Sequence, residues 1–70
     1  MITIYIWRDA LDPNMFSFGV LRTDRISYTA WGNCFVDGLS ECFGTEVSEE
    51  VQAAPVGKPV AVKLGRVSLA

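Results

Sequence analysis

The chemistry available to this chain is two cysteines, eight side-chain carboxylates and no histidine. Without histidine the commonest general base and the commonest nitrogen ligand for a metal are both missing. Cys34 therefore has no imidazole to activate it, and a Cys–His dyad within one chain is excluded. Cys34 and Cys42 stand eight positions apart, which is not the spacing of a CxxC zinc site. Neither GxxxxGK[ST] nor GxGxxG occurs, so no phosphate-cradling loop is signalled. Two carboxylate pairs remain, Asp37 with Glu41 and Asp9 with Asp12. With no histidine or third ligand near them, neither supports acid–base or metal chemistry. The expectation is a non-enzyme without metal or cofactor.

What is left is surface. Asp37, Glu41, Glu46, Glu49 and Glu50 follow one another with no Lys or Arg among them. Such a run reads either as a solvated face or as an anionic patch that docks on a basic protein surface, in the extreme by imitating a phosphate backbone. Tyr5 and Trp7 alternate with Ile4 and Ile6, so they belong on the opposite sheet face, where aromatic residues either cover one another or anchor an interface.

The elements that would carry these residues follow from periodicity. Ile2 to Trp7 alternates β-branched and aromatic residues at period two and predicts a strand. The run Leu11-Asp12-Pro13-Asn14 supplies a turn, and Met15 to Leu21 returns with Phe16, Phe18 and Val20 on one side. Gly19, on the other side, leaves space for a neighbour such as Trp7 or Tyr5. A turn at Arg22–Arg25 and a short third strand at Ile26–Tyr28 are expected next.

From Ala30 to Phe43 the apolar residues Trp31, Phe35, Val36, Leu39, Cys42 and Phe43 share one stripe of a helix. The main helix is accordingly placed at about 30–43, with Gly32 and Gly38 packed against the sheet and Gly44 as its C-cap. On such a helix the two sulfur-bearing residues lie roughly 12 Å apart along the axis. A disulfide needs Cα atoms within about 7 Å, so two free thiols are expected. Cys34, beside Asp37, reads as inert, and Cys42 as a buried small hydrophobe. Glu41 falls toward the helix C-terminus, where the dipole disfavours an anion. A second helix is placed at about 48–54, with Ser48 as N-cap and Pro55 as its stop. Val60 to Leu64 alternates as a last strand, with Gly65 as a bulge before Val67 and Leu69.

The order predicts one α+β domain over residues 1–70. It is a two-layer sandwich, a three- to four-stranded, mainly antiparallel sheet with both helices on one face. At the level of element order alone it resembles many small phage and antitoxin domains. Half of the residues are hydrophobic and a fifth charged, which excludes a chain disordered by low hydrophobicity. A domain this small buries only about 60% of its unfolded surface, and pairing often supplements such cores.

The net charge of −2 and scattered cations (Arg8, Arg22, Arg25, Lys58, Lys63, Arg66) argue against direct nucleic-acid binding. No run approaches the ~20 apolar residues of a membrane span, and free thiols suit a reducing cytosol, so a cytoplasmic protein is expected. Small size, acidity and the lack of motifs are shared with phage-encoded inhibitors of host defence nucleases, anti-CRISPR proteins included. The leading expectation is a stoichiometric inhibitor that blocks a cationic site on a larger partner, in the host cytosol if phage-encoded. The alternative is an antitoxin-like or structural module that homodimerises through an exposed sheet edge or face.

Overall fold

A computed structural model describes residues 3–21 and 28–63. Ile2, the Arg22–Arg25 turn, Ile26, Ser27 and the stretch from Leu64 through Gly65, Arg66, Val67 and Leu69 lie outside the described residues. The described residues form an α+β fold of four strands and two helices. The elements are β1 (Thr3–Arg8), β2 (Met15–Leu21), β3 (Tyr28–Phe35), a 3-10 turn (Val36–Gly38), α1 (Leu39–Phe43), α2 (Thr45–Ala53) and β4 (Val60–Lys63). Every pairing is antiparallel, and the spatial order is β3-β2-β1-β4.

Alternation decides what each strand buries. Ile4 and Ile6 of β1 and Phe16 of β2 point into the core, where they meet Leu39 of α1 and Val51 of α2. Phe18, Val20, Val60 and Val62 pack around that cluster from the same sheet face, as period two requires. Phe43 closes the α1 side with its ring edge-on to Phe18, 5.5 Å between centroids.

The β1–β2 connection is held by its own carboxylates. The Leu11 N–H donates to Asp9 Oδ1 at 2.7 Å and the Asn14 N–H to Asp12 Oδ1 at 3.0 Å. Both are Asx turns, the conformation these residues favour before the chain reverses. Asp9 and Asp12 are thereby occupied in turn formation.

The helical layer begins later than the apolar stripe suggests. Residues 30–35 are not helical; they belong to β3, and the helical stretch opens only at Val36. The misleading signal was spacing. Trp31 and Phe35 lie four apart, an even offset that places them on one face of a strand as well as of a helix. Poor helix formers decide the matter, since Gly32 and Asn33 fall inside the run. Strand pairing with β2 then ties this stretch into the sheet along its inner edge, from Met15↔Phe35 to Leu21↔Tyr28. Gly32 is small because the Phe18 ring covers it: a Cβ there would stand 3.1 Å from that ring.

Gly19 does not make room for an aromatic side chain. Phe18 pairs with Gly32 but Gly19 with Ala30, so Trp31 is the extra residue of a β-bulge, and the Thr29 carbonyl occupies the space above Gly19.

Gly44 separates the two helices at φ 96°, ψ 158°, a region open essentially to glycine, and ends α1 as its cap. Consequently α2 starts at Thr45, three residues earlier than the Ser48 cap would place it. Ser48 is instead buried within α2, its Oγ accepting from Gln52 Nε2 at 2.8 Å. Pro55 does stop the helix: Ala54 before it is extended, as the residue preceding proline prefers.

Candidate functional surfaces and the cysteine pair

The helical layer presents the carboxylates. Val47, Ser48 and Val51 turn α2 toward the sheet, with Ser48 and Val51 buried. Glu46, Glu49 and Glu50, spaced i, i+3, i+4, therefore share the opposite face, and all three are exposed. Asp37 in the 3-10 turn and Glu41 in α1 are exposed as well. Between Arg25 and Lys58 the sequence holds no cation at all. The described helical layer is thus charged with one sign only. Glu41 does not oppose a helix dipole, because α1 is five residues long and Glu41 stands in its first turn.

The sheet face turned away from the helices is aromatic among the described residues. Tyr5 and Trp7 project from β1, and the Tyr28 ring of β3 reaches them across β2. It meets Tyr5 edge-on at 5.2 Å and Trp7 at a tilt at 5.4 Å. The cluster half-buries Tyr5 and Trp7, while Tyr28 stays exposed. On the same edge strand Trp31 and Phe35 are 55% and 46% exposed. Neither belongs to the core that a helix over 30–43 would have given them.

The cysteines are placed quite differently from two residues on one straight helix. Cys34 is the penultimate residue of β3, on its inward face; the chain reverses through the 3-10 turn, and α1 brings Cys42 back, so that the two Sγ atoms lie 3.7 Å apart. Cys34 is half-buried against the core, and Cys42 is exposed rather than buried. Burial, first, and then the hydrogen bond and charge of Cys42 and the charge of Glu41 hold the Cys34 thiol above its ordinary pKa. Asp37 is not among the causes. The proximity was invisible in the sequence because it depends on a chain reversal at Val36–Gly38. Gly38 was the available signal: a Cβ there would stand 3.1 Å from Cys34 Sγ.

Among the described residues, no three or more Cys, Asp or Glu side chains gather as metal ligands, and no helix is long and apolar enough to cross a membrane. No family model, curated protein or solved structure matches the chain.

Proposed function

We propose that this chain is a non-catalytic protein-binding inhibitor that seats the acidic face of its helical layer on a cationic site of a larger protein. The observation that carries the reading is the single-signed exposure of Asp37, Glu41, Glu46, Glu49 and Glu50 along Val36–Ala53. Anions fixed on a packed scaffold lose little freedom on docking, and their summed field accelerates encounter with a basic surface. A nucleic-acid-binding defence complex is the partner class in which such a face would stand in for a phosphate backbone, acting in the host cytosol.

The test is association kinetics against the partner captured from host lysate, with wild type compared with the Asp37→Lys/Glu41→Lys and Glu46→Lys/Glu49→Lys/Glu50→Lys variants. Wild-type association should slow as salt rises, and both variants should associate several-fold more slowly at low salt while remaining folded. Equal association rates at low salt would overturn the reading.

A second reading rests on the other face. Exposed Trp31 and Phe35 on edge strand β3, next to the Tyr5–Tyr28–Trp7 cluster, favour homodimerisation through the sheet. Sedimentation equilibrium separates the two, since only this reading predicts a dimer that Trp31→Ser dissociates.

A further inference from the structure

We propose that Cys34 and Cys42 form a reversible intramolecular disulfide by exchange with a low-molecular-weight disulfide such as glutathione disulfide. The inference stands on geometry independent of the binding surface above. The sulfurs are 3.7 Å apart, and bonding needs an approach to about 2.05 Å. These are the only two cysteines in the sequence, so no alternative internal pairing competes.

The surroundings divide the labour between the two thiols. Cys42 is exposed and meets the oxidant first. Its thiolate attacks one sulfur of the small disulfide, the sulfur–sulfur bond breaks, and the departing thiolate takes a proton from solvent. Cys34, half-buried behind it, then gives its proton to solvent and attacks Cys42 Sγ, expelling the second small thiol. Two protein thiols are oxidised and one small disulfide is reduced to two thiols. Gly38 keeps the approach open, since any larger residue would place carbon against Cys34 Sγ. The raised pKa of Cys34 lowers its thiolate fraction near neutrality, so alkali accelerates the second step.

The closed loop would join the end of β3 to α1 across the 3-10 turn. Oxidation would thus fasten the sheet to the helical layer at the segment bearing Asp37 and Glu41. Because short loops also constrain the unfolded chain, the oxidised protein should melt roughly 10 °C higher than the reduced one.

The experiment equilibrates the full chain with mixtures of reduced and oxidised glutathione, alkylates the remaining thiols, and reads mass and melting temperature. The expected product is a monomer lacking two hydrogens, refractory to alkylation, with the peptides of Cys34 and Cys42 linked and the higher melting point. Cys34→Ser should stop at a glutathione adduct on Cys42, and neither Cys34→Ser nor Cys42→Ser should show the melting shift. Two alkylatable thiols after equilibration with glutathione disulfide, separate adducts on both cysteines, or a chain-to-chain disulfide as the main product would each overturn the proposal.

Discussion

Arg8 of β1 donates its Nη2 to the main-chain carbonyl of Gln52, in the last turn of α2. The guanidinium lies over the Phe16 ring, 5.2 Å from its centre, so the sheet supplies the cation that α2 lacks at its own C-terminus. A positive charge there meets the negative end of the helix dipole and satisfies a carbonyl that the helix leaves open. Replacing Arg8 with Ala should cost about 2–4 kcal/mol, the sum of a charge-assisted hydrogen bond and a partly desolvated cation–π contact. Urea denaturation measures it. A loss below ~0.5 kcal/mol would show that the contact does not anchor α2.

Leu39 and Phe35 offer a paired test of where the helical layer begins. Leu39 is fully buried, and Leu39→Ala should destabilise the protein by roughly 2–5 kcal/mol through lost burial and a residual cavity. Phe35, nearly half exposed on β3, should lose less than about 1.5 kcal/mol on the same truncation. Comparable losses for the two in denaturation would instead place Phe35 in the core.

Gly19→Ala tests the bulge. The added methyl would overlap the Thr29 carbonyl, so β2 and β3 would have to separate at their register shift. The expected cost exceeds about 2 kcal/mol, beyond the loss of glycine's flexibility, which by itself would favour alanine. Hydrogen exchange should show the loss concentrated in the amides of residues 28–35. Unchanged protection there would contradict the close approach.

Stability of the reduced protein should also decline at alkaline pH. Cys34 has a folded-state pKa above that of the unfolded chain, so its contribution is intact below the ordinary thiol value, about 8.5, and is lost as pH rises through the folded value. Denaturation in a thiol-free reductant across that window should show a decline in wild type that is smaller in Cys34→Ser. Parallel curves for the two proteins would assign the alkaline decline to other groups.

Much of the sheet was legible because β1, β2 and β4 alternate and carry β-branched or aromatic residues at the buried positions. β3 was not, since its outward residues Trp31 and Phe35 share a spacing that both periodicities accept and its inward ones, Gly32 and Cys34, are small. The exposure of the five helical-layer carboxylates followed from composition and phase, and Glu46, Glu49 and Glu50 keep a common face even though α2 starts earlier than its Ser48 cap implied. The nearness of Cys34 to Cys42 and the reach of Tyr28 to Tyr5 and Trp7 depend on chain reversal and strand pairing, which no local pattern encodes.

The position of β4 beside β1 has a kinetic consequence. Successive strands β1, β2 and β3 can pair across short connections, whereas Thr3 must find Lys63 from the far side of the chain. Closing that long loop is the entropically dearest step of assembly and is rewarded only after the meander and helices exist. β4 therefore docks late, and Val62→Ala should accelerate unfolding while leaving the folding rate nearly unchanged. Until it docks, the hydrogen-bonding edge of β1, backed by Ile4 and Ile6, stands open to the β4 of another copy. Refolding at high concentration should consequently yield strand-exchanged dimers.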